Sequence, residues 1–188
     1  MNRISTLGVV AAAFVLMLPV SSQAQNAAPK PPAAGNAEQK APAPAAPAKS
    51  MKEAIVGTWS LLIDDAVKPD GTHVPNFGPN PIGVAMFSAD GHFTVAITRA
   101  GRPKFASNNR TTGTADENKA VVAGSNAFFG SYGVNEADKT LTLRVDGSTY
   151  PNLEGTTQKR TITSLTAGDE LTWTNPANHG EVAWKWVK

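Results

Sequence analysis

One segment of the chain concentrates positive charge and could bind an anion. No acidic residue occurs between Asp90 and Asp116. The basic residues of this interval are Arg99, Arg102, Lys104 and Arg110. Guanidinium groups offer paired donors that suit a carboxylate or a phosphate, so the interval predicts a positive rim that holds an anionic head group. A solvated loop explains the same charges and is the more common arrangement, because loop charges mostly lie on the surface.

The other residues that could do chemistry are scattered along the chain. Glycoside hydrolysis needs two carboxylates at a fixed separation, but the acids here stand before glycines or beside loops, where Asp favours turns. These acids are Asp64, Asp65, Asp70, Asp90, Asp138, Asp146, Asp169 and Glu170. His73, His92 and His179 are isolated, and residues 129–133 miss the Gly-x-Ser-x-Gly nucleophile elbow by one position. The residues therefore predict no catalytic group, no metal site and no cofactor.

Composition divides the 188 residues into three parts. Residues 1–24 combine Arg3, the apolar run 7–18 and the small-x-small site 22–24, which predicts a cleaved secretory signal. Residues 25–51 are rich in Ala and Pro and predict a disordered linker, because they can bury too little apolar surface to offset the entropy of ordering. Residues 52–188 are long enough to form one domain.

The front of the chain and its charge narrow the possible partners. The secretory signal predicts export to the periplasm or the extracellular space, and its apolar run is too short for a stable membrane span. An uncleaved amphipathic anchor is the alternative. The chain has no cysteine, so the core alone must stabilise the domain. A formal charge of +2 that is spread along the chain gives no footprint for nucleic acid.

The domain consists of short apolar runs separated by turn residues. The first run is 55–63, where Gly57 admits a close neighbour and Trp59 can close the bottom of a core. Residues 64–81 contain several Pro and Gly and predict a long loop or lid. A helix is predicted over 114–124, because Thr114 can cap it and acids follow in its first turn. Further strands are predicted over 83–88, 92–99, 127–134, 139–145, 157–165, 170–175 and 181–187.

Apolar and polar residues alternate in these runs, which indicates strands with one buried face. Consecutive antiparallel strands remove their free edges by closing on themselves. The chain is therefore predicted to be all-β, an up-and-down antiparallel β-barrel of about eight strands with one short helical insert. Period two also places Arg99 with the inward residues of its strand. The predicted inward apolar residues are Ile55, Trp59, Leu61, Phe93, Val95, Ile97, Tyr132, Leu141, Leu143, Ile162, Leu171, Trp173, Val182, Trp184 and Trp186.

Six segments together resemble the bacterial lipocalin-like domain family. They are Ile-Val-Gly-Thr-Trp-Ser-Leu at 55–61, Phe-Gly-Pro-Asn-Pro at 77–81, Phe-Ser-Ala-Asp-Gly-His-Phe at 87–93, Arg-Pro-Lys-Phe-Ala-Ser-Asn-Asn-Arg at 102–110, Val-Asn-Glu-Ala-Asp-Lys-Thr-Leu at 134–141 and Asp-Glu-Leu-Thr-Trp-Thr-Asn at 169–175. The resemblance covers residues 55–186 and implies a small calycin-type barrel in an exported protein. In lipocalins a basic residue of the last strand typically covers the Trp of the first-strand Gly-x-Trp. Here that pair would be Lys185 and Trp59.

The predicted function is the binding of a small hydrophobic or amphipathic molecule, anionic ones included, inside the barrel, because ligand sites are mostly apolar with few polar anchors. The predicted ligand-binding residues are Trp59, Phe93, Ile97, Arg99, Arg102, Arg110, Tyr132, Leu143 and Trp173. One alternative is an isomerase or cyclase for an apolar substrate, with Arg99 and Tyr132 as the residues to mutate. Another is a non-catalytic interaction module of the cell envelope. An eight-stranded barrel can also fill its interior with side chains.

Overall fold

Nine β-strands run through residues 49–188, the part of the chain that the computed structural model describes. The predicted signal and residues 25–48 of the predicted linker lie outside the described residues. The strands are β1 (Gly57–Val67), β2 (His73–Pro75), β3 (Ile82–Phe87), β4 (His92–Thr98), β5 (Ser125–Asn135), β6 (Thr140–Ser148), β7 (Thr157–Thr166), β8 (Glu170–Asn175) and β9 (Gly180–Trp186).

Eight of these strands close into a barrel. Sequence neighbours pair antiparallel from β3 to β9, and β1 pairs with both β3 and β9. Trp59 lies opposite Trp186 in the pair that closes the sheet. The prediction of an all-β, up-and-down antiparallel barrel is confirmed, and β2 is one strand more than the closed barrel needs.

Two α-helices accompany the strands, α1 (Met51–Ile55) and α2 (Ala115–Ala123), together with a 3₁₀ turn at Pro151–Leu153. The predicted helical insert is confirmed in α2, where Thr114 and Glu117 form a capping box. Helix α1 was not predicted, and the same kind of box starts it, with Ser50 accepting from the backbone N–H of Glu53 at 3.2 Å. The first strand therefore begins at Gly57 rather than at Ile55.

The prediction of a long loop or lid over residues 64–81 is wrong for residues 64–75, which form a β-hairpin. Strand β1 continues to Val67, turns at residues 68–72 and pairs with β2, with Asp65 opposite Pro75. The turn residues act as predicted, since Gly71 has φ +82° and its N–H donates to Lys68 O at 2.9 Å. Cross-strand pairing with β1 gives β2 its extended form, and Pro75 is tolerated because β2 lies on an edge.

The inward face of the barrel is the apolar face that alternation predicts. Of the predicted inward residues only Val182 and Trp186 are half-buried, and all the others are buried. Arg99 does not join them, because β4 ends at Thr98 and the Arg99 side chain is exposed. The period-two argument fails there because it holds only as far as the strand extends.

One end of the barrel is closed by tight aromatic packing. Trp59 is fully buried, donates its indole N–H to Ile55 O at 2.8 Å and meets Trp186 edge to face at 5.0 Å. The Trp186 ring lies over Gly57, where a Cβ atom would come within 1.9 Å of it. Lys185, expected to cover Trp59, is exposed and pairs with Asp169 instead, because neighbouring strand residues point to opposite faces.

Candidate functional site

A cavity of about 100 Å³ lies at the other end of the barrel, which we call the open end. Its apolar lining residues are Val95, Ile97, Phe128, Leu143, Trp173, Val182 and Trp184. Its polar lining residues are Asp64, Asn76, Asn126, Arg160, Asn175 and Asn178, and Gly180 completes the lining. The cavity thus has an aromatic and aliphatic floor, with amides and two opposite charges around it.

A β-bulge turns Asp64 toward this cavity. Leu61 is opposite Trp184 and Ile63 is opposite Ala183, so the extra residue Leu62 has no partner on β9. Past the bulge Asp64 lies opposite Val182, which also lines the cavity. A bulge places two successive residues on one partner and so shifts which later side chains face inward. Without it, strict alternation from Leu61 would point Ile63 inward and Asp64 outward.

The Asp64 carboxylate is half-buried and has one polar partner in the described structure. Oδ1 accepts a hydrogen bond of 2.8 Å from Nδ2 of Asn76, which lies just after β2. Removal from water raises the pKa of Asp64 above its ordinary value, an effect that the Asn76 hydrogen bond offsets only in part. The β1–β2 hairpin thus supplies both the acid and the amide that holds it.

Arg160 enters the cavity wall from β7, two residues before the buried Ile162. Its Nη1 donates to the backbone carbonyl of Lys159 at 2.8 Å. Burial lowers the pKa of Arg160, while the negative charge of Asp64 acts in the opposite direction. An arginine remains charged after such a shift. Within residues 49–188, no acidic oxygen lies within the 4.0 Å ion-pair distance of Arg160.

Three buried polar atoms of the cavity wall have no hydrogen-bond partner in the described part of the chain. They are the indole nitrogens of Trp173 and Trp184 and the amide oxygen of Asn126. Most buried polar atoms in folded proteins are paired, and each exception leaves a desolvation cost of about 1–3 kcal/mol. All three atoms belong to residues that line the same cavity, but the atoms themselves have almost no surface open to it.

Comparison with known proteins agrees with this architecture. The family model for the lipocalin-like domain matches residues 56–187, which is most of the chain. The chain belongs to the lipocalin-like domain family. A search of curated proteins gave no match.

Among solved structures, the lipocalin-like domain is similar to a crystal structure of a DUF4847 family protein from Bacteroides vulgatus. The two share 12% sequence identity, and the TM-score is 0.37. The similarity covers 71% of this chain and 94% of the other one.

The apolar residues predicted to bind ligand divide between the two ends of the lipocalin-like domain. Ile97, Leu143 and Trp173 line the cavity. Phe93 and Tyr132 contact Phe87 in the aromatic cluster toward the closed end, where Trp59 also lies. The Tyr132 hydroxyl donates to Ser88 O at 2.9 Å. Phe93, Tyr132 and Trp59 are therefore core residues outside the cavity wall.

The predicted positive rim lies outside the cavity. The Arg99 side chain passes about 3.8 Å from the position of a Cβ atom on Gly78, and the Arg102 stem packs against Gly124. Arg110 borders an open surface hollow with Lys104, Phe105 and Asn108. None of the three arginines lines the cavity, and their role in anion binding stays a prediction.

Several polar residues of the cavity were missed, although the sequence contained a signal for some of them. Three of them stand two positions from a residue that was predicted to face inward or that is buried. These pairs are Arg160 with Ile162, Asn126 with Phe128, and Asn175 with Trp173. Extending the alternation by one step along each strand would have placed them inward. Asp64 had no such signal, and the prediction that it serves a turn is wrong.

The remaining titratable residues give no metal centre in the described structure. No group of three or more His, Asp or Glu side chains there is arranged to hold a metal ion. His73 lies 3.3 Å from Asp65 and 4.0 Å from Glu181, and its side chain is about half exposed. Over residues 49–188, no helix combines the length and the apolar character that a membrane crossing requires.

Proposed function

We propose that this lipocalin-like protein binds a small amphipathic molecule at the open end of its barrel. The observation that carries the proposal is the cavity itself, where an aromatic and aliphatic floor is bordered by amides and by the half-buried Asp64 and Arg160. A ligand that hydrogen-bonds to these polar groups offsets their partial removal from water, and its apolar part gains burial against the floor. Apolar surface combined with placed polar groups is typical of small-molecule sites.

The size of the cavity limits the ligand. Its volume of about 100 Å³ is below the roughly 300–1,000 Å³ of drug-sized sites. It is closer to the engineered cavity of about 150 Å³ that takes up benzene. The proposed ligand is therefore a molecule with about four buried carbon atoms, or one end of a longer molecule that extends into solvent.

Native mass spectrometry of the full chain, incubated with and without a bacterial metabolite and lipid extract, tests the proposal. The expected result is an adduct of defined mass that persists after desalting. Trp173 and Trp184 line the cavity, so the same adduct should change the tryptophan fluorescence. If the folded protein takes up nothing from the extract, the interior is a packed core and the proposal fails.

A substitution that fills the cavity tests where the ligand binds. Val182→Phe adds an aromatic ring to the cavity wall and should abolish adduct formation. Val122→Phe is the matched control, because Val122 lies on α2 and is 71% exposed. An adduct that survives in the Val182→Phe protein would place the ligand elsewhere.

A second candidate function is acid–base catalysis in the same cavity, in line with the isomerase or cyclase alternative. The observation that favours it is the half-buried Asp64 in the cavity wall, because burial raises its pKa and so makes its carboxylate a stronger base. Tyr132, by contrast, is committed to Ser88 O near the closed end. For an enzyme, the wild type should convert a component of the extract into a new product. The Asp64→Asn protein should still take up the ligand but form no product, and this result would select the enzyme over the binding protein.

We also propose that the protein acts after export, in the periplasm or outside the cell. The support is the pattern of residues 1–24, with a basic start, an apolar run and a small-x-small site. The intact mass of the protein from cell fractions tests it. A mature chain that begins at Gln25 in the exported fraction is expected, and a full-length cytoplasmic chain would contradict it.

A further inference from the structure

The two charged residues of the cavity wall are opposite in sign and do not pair with each other. Asp64 is on β1 and Arg160 is on β7, with β8 and β9 between them in the barrel. Their side chains are near enough for each charge to affect the pKa of the other. They nevertheless lie beyond the 4.0 Å limit of an ion pair. The cavity thus presents a separated acid and base, both partly removed from water.

The charge of a ligand decides whether this arrangement favours or opposes binding. A simple anion could pair with Arg160 but would bring a second negative charge close to Asp64. A simple cation would face the opposite conflict. A neutral molecule would displace water from both charges and compensate neither, and unpaired desolvated charges are costly. A molecule that carries both charges on neighbouring atoms can pair with both residues.

We propose that the cavity binds a small zwitterion of the amino-acid type, and this inference rests on the proposed binding function. The ammonium group of the ligand pairs with Asp64, its carboxylate pairs with Arg160, and its apolar side chain packs on the floor between Phe128, Trp173 and Trp184.

The hydrogen-bonding capacity of such a ligand also fits the amides of the cavity wall. A carboxylate accepts several hydrogen bonds, which leaves lone pairs for the side-chain amides of Asn175 and Asn178 after it pairs with Arg160. The cavity of about 100 Å³ suits a side chain of about four carbon atoms, such as that of leucine.

The test compares three probes that share one carbon skeleton. Leucine carries both charges, 4-methylpentanoate lacks the ammonium group and 3-methylbutylamine lacks the carboxylate. Binding to the full chain is measured by isothermal titration calorimetry and by tryptophan fluorescence. Leucine is expected to bind at least about tenfold more tightly than either analogue, because it alone pairs with both charged residues.

Two variants test which charged group of the ligand each of the two residues binds. Asp64→Asn should remove the preference for leucine over 4-methylpentanoate, and Arg160→Gln should remove the preference for leucine over 3-methylbutylamine. Asp70→Asn is the matched control for the first change, because Asp70 is an exposed residue of the turn after β1. Circular dichroism of each variant establishes that the barrel is folded before affinities are compared.

The outcomes separate this inference from the binding function itself. Equal or tighter binding of 4-methylpentanoate or of the amine overturns the zwitterion and leaves the binding protein in place. If no probe binds but native mass spectrometry finds another adduct, the zwitterion is likewise wrong and the binding function remains. If no probe binds and no adduct forms from the extract, both the inference and the proposed function are wrong.

Discussion

The two ends of the barrel use the same aromatic residue type in opposite ways. At the closed end the indole N–H of Trp59 donates to Ile55 O, and the neighbouring Trp186 ring covers Gly57 without a gap. At the open end the indole N–H groups of Trp173 and Trp184 are as deeply buried but have no partner in the described structure. The difference fits the proposed function, in which the closed end stabilises the barrel and the open end binds the ligand.

The polar groups around each end follow the same division. Near the closed end the Tyr132 hydroxyl is paired with a turn carbonyl, and a capping box fixes α1 beside it. Around the open end, Asp64 and Arg160 are partly removed from water without an ion pair between them. Charges that are partly desolvated without an ion pair cost stability, and titratable groups perturbed in this way are frequent at functional sites.

The largest expected effect is the loss of packing at the closed end. Trp59→Ala should lower the free energy of unfolding by about 3–5 kcal/mol, because it removes a fully buried ring and leaves a cavity. Trp173→Ala should cost less, because that ring already borders a cavity that water can enter. Urea unfolding measures both changes. A larger loss for Trp173 would reverse the assignment of the two ends.

A pair of milder substitutions measures the hydrogen bond alone. Trp59→Phe loses the bond to Ile55 O, whereas Trp184→Phe loses an N–H that has no partner in the described structure. Both remove a similar volume from a fully buried site. The loss of unfolding free energy should therefore be greater for Trp59→Phe by about 1 kcal/mol. Equal losses would mean that the Trp184 indole finds a partner in solution.

The smallest expected effect is a difference in pH dependence between two aspartates. Burial raises the pKa of folded Asp64, so the folded state holds its proton longer than the unfolded state does. The stability of the wild type relative to Asp64→Asn should therefore fall as pH rises from the ordinary carboxyl value of about 3.9 through the folded pKa. Urea unfolding between about pH 3 and 8 measures this difference.

Asp70 provides the comparison with the opposite sign. The backbone N–H of Thr72, at 2.9 Å, lowers the pKa of Asp70 in the folded state. The stability of the wild type relative to Asp70→Asn should therefore rise with pH, through a window that ends near the ordinary value of about 3.9. The same sign for both aspartates would show that Asp64 is not desolvated in solution.

Much of the fold followed from local patterns in the sequence. Alternation placed Phe93, Val95 and Ile97 on the inward face, and they are buried. Thr114 and the acids after it located the helix α2, because its capping involves only residues close in sequence. The same kind of box at Ser50 and Glu53 was overlooked, although it was equally visible.

The candidate site was less predictable because charge in a sequence does not show which way a side chain points. The positive segment 99–110 stood out in composition, yet it lies beyond the end of β4 and outside the cavity wall. Arg160 was an isolated charge in a strand, but its parity with Ile162 puts it in that wall. Parity along each strand was thus a better guide to the site than the density of charge.

The sequence by itself determined the barrel, its family and most of its inward face, because alternation, turns and caps depend on residues only a few positions apart. The tertiary structure decided which polar groups meet inside. Asp64 faces the cavity because Leu62 has no partner on β9, and that bulge depends on pairing between the two ends of the domain. Likewise, only the packed barrel distinguishes the paired indole of Trp59 from the indoles of Trp173 and Trp184, which have no partner within residues 49–188.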